Sequence, residues 1–563
     1  MVDEAKDDAR RMTVALAVRT MSPPAWVKAV ADRLSGMPSV DLSLYVVAAR
    51  PPSRSGGTER PAGRFWRAFV GLDRLLRRWV YRAAPDPRAV ADLGHLGLRD
   101  ASALPGDLDL IVDLSGGAVR DVLPAAGRPP IVWFDHDGHE SWTTASSGYS
   151  EVVHGAGVTR CRLLCLPPGA SRPSVLRTGL LATHPLFVAE NRMQLLWKSI
   201  PLLIQEVGEF GNLAAFPCEE AELSERSNAT DFYSEQRPIG VVSVVGHVVR
   251  CVRFVARRVL RAEQWFLLTS SRPRGAGDGI AASAFPQDLG GLHPMDVLAP
   301  GRDRYWADPH VVPGSQGLLV LVEEYIYKNR RGRIAMLRLT ETGQVAEVRT
   351  VLELECHLSY PSVFEFSKAL YMVPESRELG RVDAYKCTSY PWGWEYAATL
   401  LHDVRACDSS IVQYQARWCL FTTISEHEWL TPRDSLHLFF AEDPLHGPWR
   451  PHPQNPIACS AYNSRPAGQP FVSGGRLYRP SQDCSKGYGY GVRLMEVTTM
   501  TEERFEEREV AFLEPTWPES AVATHTLALD EHRVVVDVMR WLPRLNPAFL
   551  GKIGDWLGSR SRE

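Results

Sequence analysis

This 563-residue sequence predicts a multidomain fold: a doubly wound α/β domain followed by an all-β five-bladed propeller. Three observations lead there. Strand and helix signals alternate from residue 12 to about 203, a polar and breaker-rich stretch follows, and one short pattern then recurs five times between Tyr305 and Trp541. The copies begin at Trp306 (WADPHVVPGSQGLLVLVEEY), Ser359 (SYPSVFEFSKALYMVPES), Cys407 (CDSSIVQYQARWCLFTTIS), Ser464 (SRPAGQPFVSGGRLYRPSQDCS) and Thr524 (THTLALDEHRVVVDVMRW). Their spacing, about fifty to sixty residues, is that of a four-stranded propeller blade. Such a blade cannot bury both faces of its sheet alone, so copies stack around an axis.

In the first region MTVALAV reads as a buried strand and PPAWVKAVADRLSGM as a helix opened by Pro23 and Pro24. VDLSLYVVAAR is a second strand, LDLIVDLSGG a third entering a Gly-rich turn, and IVWFDHDGHE a fourth ending among acids and histidines. Sites in doubly wound sheets form beyond the carboxyl ends of such strands. Phe65, Phe69, Leu72, Leu76 and Trp79 form an apolar helical stripe ringed by arginines, expected to pack on the domain. Peripheral contact with a membrane surface, or with an acidic partner, is the alternative for that helix. Trp197 to Val207 reads as the last helix of the domain. CEEAELSERSNATDFYSEQRP is a linker, and a basic amphipathic helix spans roughly Val241 to Leu260. QWFLLTS (Gln264–Ser270) is an isolated strand expected to complete the final blade and remove its open edge. The expected organisation is therefore 12–207 α/β domain, 208–262 linker and helix, 263–545 propeller, and 546–563 tail.

A net charge of −3 with interspersed signs carries no nucleic-acid footprint. The ten scattered cysteines, with no CxxC pair, suit reduced thiols, and the acidic, charged opening MVDEAKDDARR is no signal peptide. The longest apolar run, Ile239 to Val249, stops at Arg250 and is too short for a membrane span. A cytoplasmic protein is expected.

Each repeat opens on a polar residue: Asp308, Tyr360, Asp408, Arg465 and His525. At equivalent places on innermost strands these side chains should meet at a central pocket. Asp308 is the candidate general base and Asp408 a tuner of its neighbours. Glu323, Glu324 and Glu375 end second strands, and among them Glu324 and Glu375 are the candidates for a raised-pKa acid, since sugar-active sites divide the work between carboxylates in different environments. Arg465 and Arg479, with Gln482 and Asp483, offer a charged fork for phosphate or carboxylate, which points to a phosphorylated, acidic or nucleotide-linked sugar. Tyr360 and His525 join them as expected substrate contacts. Asp135, His136 and Asp137 crowd a strand end in the first domain, but no metal is expected there.

The stretches YWADP, HLSYPSVFE, YMVPES, GPWRPHPQNPI, SRPAG, LYRPSQDCSKGYG and THTL resemble the N-terminal propeller domain of the plant glucosamine inositolphosphorylceramide transferases and its bacterial relatives. The resemblance implies carbohydrate-linked work, although the plant proteins carry a separate glycosyltransferase domain. More distantly the blades look like those of arabinanases and invertases, in which the first-blade acid is general base or nucleophile. Asp308 falls on that position, whereas Glu375 falls a blade earlier than the usual acid. The first domain, through LDLIVDLSGG, IVWFDHDGHES and ENRMQLLWKSIPLL, looks like a formyltransferase. Folate-dependent formyl transfer needs an Asn, a His and a later Asp. His136 matches, Asp135 stands where the Asn is wanted, and CLPPGASRPSVLRTG holds no acid, so the resemblance implies a vestigial site and no folate.

The function these readings favour is a carbohydrate-active transferase with a carbohydrate or phosphorylated-sugar substrate, a nucleotide-sugar as the donor to test, and Glu375 or Glu324 as the acid. A glycosidase, an amino-sugar N-formyltransferase with the propeller as substrate-binding module, and a non-catalytic glycan-binding protein remain as alternatives.

Overall fold

The structure is a computed structural model describing residues 11–20, 23–47, 63–80, 93, 98–100, 105, 108–123, 128–136, 148–212, 239–271, 295–312, 318–427, 429–529 and 533–544. It divides into two compact units, Met1–Val252 and Arg253–Glu563.

The first unit is built on seven strands: β1 (Met12–Val18), β2 (Val40–Val46), β3 (Leu98–Asp100), β4 (Leu110–Asp113), β5 (Ile131–His136), β6 (Val158–Leu166) and β7 (Ser174–Ala182), in the order β3-β2-β1-β4-β5-β6-β7. The first five are parallel, while β6 and β7 add antiparallel. Successive side chains on a strand face opposite ways. Trp133 packs with Ala118 and Val119 of helix α3 (Ala118–Val122), and Phe134 meets Trp26 of helix α1 (Ala25–Ser35) edge-on at 6.3 Å. Helices thus cover both faces.

Helix α2 (Gly63–Val80) turns the opposite way from the sequence expectation. Leu72 and Leu76 are exposed, Phe69 is half-buried, and the buried line is Val70, Asp73 and Arg77. The side chains of Phe65 and Trp79 lie outside the described residues. Hydrogen bonding explains the inversion. After the five-residue helix α4 (Ser150–His154), helix α5 (Val188–Lys198) presents its first N–H groups, and Val188 and Ala189 each donate to the Asp73 carboxylate at 3.0 Å. Arg77 Nε donates to the buried Glu190 at 2.8 Å. Helix dipole and buried charge prefer this partner, and leaving either group unpaired would cost more than exposing leucines. Helices α6 (Ile200–Asn212) and α7 (Val241–Leu260) follow.

The second unit is a five-bladed propeller, each blade a four-stranded antiparallel sheet. Blade 1 is β10 (Arg304–Val312), β11 (Leu318–Ile326), β12 (Arg331–Leu339) and β13 (Val345–Leu352). Blade 2 is β14 (Ser359–Phe366), β15 (Ala369–Glu375), β16 (Val382–Ser389) and β17 (Gly393–Leu401). Blade 3 is β18 (Ala406–Tyr414), β19 (Arg417–Ile424), β20 (Leu436–Ala441) and β21 (Arg450–Pro451). Blade 4 is β22 (Phe471–Ser473), β23 (Arg476–Asp483), β24 (Gly491–Met500) and β25 (Phe505–Leu513). Blade 5 joins β26 (Leu527–Leu529) and β27 (Arg533–Pro543) to β8 (Arg261–Ser271) and β9 (Asp296–Leu298), which precede blade 1 in the chain. The QWFLLTS strand therefore closes the ring as expected. Its register with β27 runs unbroken from Arg533↔Ser271 to Pro543↔Arg261. The core lies between blades, where Met336 and Met372, or Val373 and Leu420, interdigitate.

The first hairpin of blades 2, 3 and 4 turns on two left-handed residues: Ser367-Lys368, Gln415-Ala416 and Gly474-Gly475. Such turns match the twist of the strands they join. Gly468 (φ 137°) has a different duty, because a Cβ there would lie 2.1 Å from the Leu527 carbonyl oxygen of blade 5. Gly468→Ala should therefore lower stability by about 3 kcal/mol or more, whereas Gly474→Ala, in open space at φ 56°, should cost only about 1 kcal/mol. Urea midpoints of the two variants check this, and equal losses would contradict it.

Candidate active site at the propeller axis

The repeat-opening residues owe their direction to a bulge. In blades 1 to 3 the pairing of the first two strands slips at Ala307/His310, Ser359/Ser362 and Cys407/Ser410. The residue inside each slip is left-handed: Asp308 (φ 51°), Tyr360 (φ 42°) and Asp408 (φ 52°). A bulge re-aims a side chain and frees a backbone N–H. Here a carboxylate of the preceding blade accepts each freed N–H. Asp308 N donates to Asp537 Oδ2 at 3.0 Å, Tyr360 N to Asp308 Oδ2 at 3.2 Å, and Asp408 N to Glu375 Oε2 at 3.1 Å.

Around Asp308, the Thr526 hydroxyl donates to Oδ1 at 2.8 Å and His525 Nε2 stands 3.6 Å away. His525 Nδ1 lies 2.6 Å from Asp537, whose Oδ1 also accepts the N–H groups of His525 and Thr526 at 2.9 Å. Burial pushes the Asp308 carboxyl up to about 6, with Asp408 and Asp537 adding to the rise and His525 opposing it. Burial works against the His525 cation, but Asp537 and Asp308 outweigh it and raise its value. His310 is driven by burial down to about 4 and is neutral. One ligand atom each from Asp308, His525 and Asp537 lies within 4.8 Å of the others, the cation-sized cluster among the described residues. Asp537 accepts the backbone N–H groups of Asp308, His525 and Thr526, and Asp308 accepts the Tyr360 N–H and the Thr526 hydroxyl, so both carboxylates are already engaged.

A second cluster joins blades 2, 3 and 4. Arg465 Nε donates to Asp408 Oδ2 at 2.5 Å and Nη2 to Oδ1 at 3.3 Å, while Gln482 Nε2 donates to Oδ2 at 2.9 Å. Arg465 Nη2 stands 3.7 Å from Glu375. Burial first, and then the charge of Asp408, lift the Glu375 carboxyl to about 8 against the pull of Arg465. Its side chain is 11% exposed, against 2% for Asp408 and 5% for Arg465, so it is the most accessible of the three.

Asp308, Tyr360, Asp408, Arg465, Gln482, Glu375 and His525 thus gather as the repeats imply. Four expected roles need correction. Glu324 accepts from Arg304 at 2.9 Å and from Arg333 at 2.8 Å, and although burial would raise its carboxyl, these arginines hold it below the ordinary value. That is the opposite of the raised value expected of a proton donor. Arg479 alternates away from Gln482 on β23 and is engaged by Glu507 at 2.7 Å and the Asn463 carbonyl at 2.6 Å. Asp483 receives Arg493 at 2.6 Å and 3.0 Å. The Tyr360 hydroxyl is raised by burial and shared among Ser410 (2.8 Å), the Gly468 carbonyl (3.0 Å) and the Gly468 N–H (2.7 Å), so it clamps blades together and does not face a ligand. In the first unit, His136 is fully buried beside Phe134, and Asp135 is paired with Arg162 at 2.5 Å. Asp137 lies outside the described residues.

Two features escaped the sequence reading. Asp537 is a lone acid inside the apolar strand RVVVDVM, a signal that was available. An aromatic cluster beside His525 includes Trp265, stacked on it at 4.0 Å, together with Tyr305, Tyr325 and Tyr488. Trp265 and Tyr305 are buried, while the half-buried rings of Tyr325 and Tyr488 suit sugar rings.

The fold and axis define a five-bladed propeller with a carboxylate-rich centre. A family model described as "Glucosamine inositolphosphorylceramide transferase 1, N-terminal" matches residues 299–524. The chain is 33% identical over 204 residues to glucosamine inositolphosphorylceramide transferase 1 of Oryza sativa subsp. japonica, a match covering 36% of this chain and 27% of that protein. It is 28% identical over 211 residues to the Arabidopsis thaliana protein of the same name, covering 37% and 27%. The match thus takes in 27% of the length of these relatives. A GH43 beta-xylosidase/alpha-arabinofuranosidase from a compost microbial metagenome aligns over 43% of this chain and 91% of its own, at 12% identity and a TM-score of 0.31.

The raised Glu375 carboxyl has a consequence for stability. Between the ordinary value of 4.5 and about 8 the folded protein keeps a proton that the unfolded chain releases, so stability falls as pH rises through that window. Glu375→Gln should flatten this fall, as read from urea midpoints across the window. A slope unchanged by the substitution would contradict the raised value.

Proposed function

We propose that the chain is a carbohydrate-active transferase whose reaction centre is the cluster at the propeller axis. Glu375 carries the reading: a buried, protonated carboxyl beside the charge of Asp408 is what donating a proton to a departing sugar oxygen at neutral pH requires. Asp308, with a value about 6, is the proposed base that takes the proton of the incoming hydroxyl. Asp408, held by Arg465 and Gln482, keeps the Glu375 proton in place. The half-buried rings of Tyr325 and Tyr488 offer the faces on which the sugar stacks.

A donor whose leaving oxygen needs that proton, a glycoside, fits better than a nucleotide-sugar, because diphosphate leaves without one. The arginine clamp expected for phosphate is also reduced to Arg465, which Asp408 already engages. Glycoside hydrolysis is the second reading, since the same two carboxyls would serve water as acceptor. For the first unit we propose no folate-dependent formyl transfer, because His136 is fully buried and Asp135 is paired with Arg162.

Purified protein incubated with aryl glycosides, nucleotide-sugars and 10-formyltetrahydrofolate, with and without sugar acceptors, should transfer only from the glycosides, as read by mass spectrometry. Glu375→Gln should lower kcat by roughly 10²–10⁴-fold. The wild-type rate should rise through about 6 as Asp308 ionises and fall through about 8 as Glu375 does. Turnover of a nucleotide-sugar that survives Glu375→Gln would overturn the acid assignment. Formylation abolished by His136→Ala would overturn the reading of the first unit.

A further inference from the structure

Helix α7 buries one narrow line, Val244 and His247, with Val244 packed among Val70, Tyr149 and Val153. A stripe of its apolar surface is open: Val242 is 86% exposed, and Val245, Val248, Val249 and Val252 are all exposed. At a hundred degrees per residue these five fall within about 120° of one another. Arg253 and Arg257, both exposed, follow along one edge of that stripe. Helix α2 is its neighbour, since Phe69 meets His247 edge-on at 5.9 Å. Leu72 and Leu76 continue the line of Phe69 at three and seven residues, and with Leu75 they are 45–65% exposed. Valines and leucines in such number are not scattered singly, and a contiguous open apolar face marks a contact surface.

Charge selects the occupant. The α7 sequence contains no acid, and the one acid of α2, Asp73, is buried against the N-terminus of α5. An apolar stripe bordered by arginines, with no acid of either helix on its open face, has the pattern of a helix lying in the plane of a bilayer surface. No helix among the described residues is long and apolar enough to cross a membrane, so the contact is peripheral. We propose that the outward faces of α7 and α2 dock on an anionic lipid bilayer.

Flotation of the full chain with vesicles tests this. The wild type should float with phosphatidylcholine vesicles containing about a third phosphatidylserine, and weakly or not at all with phosphatidylcholine alone. The double variant Val245→Glu/Val249→Glu, altered only at exposed positions, should bind at least ~tenfold more weakly. Arg253→Glu should erase the preference for the anionic vesicles. Wild-type protein left unbound by both vesicles, or a double variant floating like wild type, overturns the proposal. Light scattering that shows a wild-type dimer and a monomeric double variant, without vesicle binding, assigns the face to a second copy of the chain and also overturns it.

Discussion

The propeller depends on one repeated hydrogen bond, the carboxylate of one blade accepting the N–H that a bulge frees in the next. Asp537, Asp308 and Glu375 do this for Asp308, Tyr360 and Asp408. A left-handed non-glycine residue costs roughly 1–2 kcal/mol, so three in one ring persist only because the surroundings fix them. The same bonds bring the carboxyls together and exclude water from them. Burial and repulsion from neighbouring carboxylates then raise the proton affinities of Asp308 and Glu375. Structural tension and chemical capacity have one source.

Arg465 limits that repulsion. It pairs with Asp408 and stands near Glu375, while His525 pairs with Asp537, so these acids do not face one another unopposed. Breaking such a buried pair by removing one partner usually costs about 3–5 kcal/mol, so substitutions at Arg465 or Asp537 report on folding as much as on chemistry. Glu375 is better placed to report on chemistry, because its backbone partner can be kept by glutamine.

Much of this was legible in the sequence, because a repeat exposes equivalence. Asp308, Tyr360 and Asp408 occupy matching bulges, and the stray strand at Gln264–Ser270 closes the ring. What the sequence did not disclose depends on partners distant in the chain. Arg479 and Gln482 sit three residues apart on β23, yet strand alternation sends one to Glu507 and the other to the axis. Glu324 is an acid at a strand end like Glu375, but Arg304 and Arg333 hold its carboxyl down where burial and Asp408 raise that of Glu375. On α2 the apolar pattern pointed to the wrong face, because the helix meets α5 through Asp73 and Arg77. Periodicity finds where hydrophobic residues lie, not which face a buried ion pair will claim.

The central claim is that the axis holds Glu375 protonated at neutral pH through burial and the charge of Asp408. A difference-infrared titration of the carboxyl band, assigned by its loss in Glu375→Gln, measures this directly. The account predicts a midpoint near the value of about 8, moving downward in Asp408→Asn. A midpoint at the ordinary 4.5, unmoved by that substitution, would contradict it.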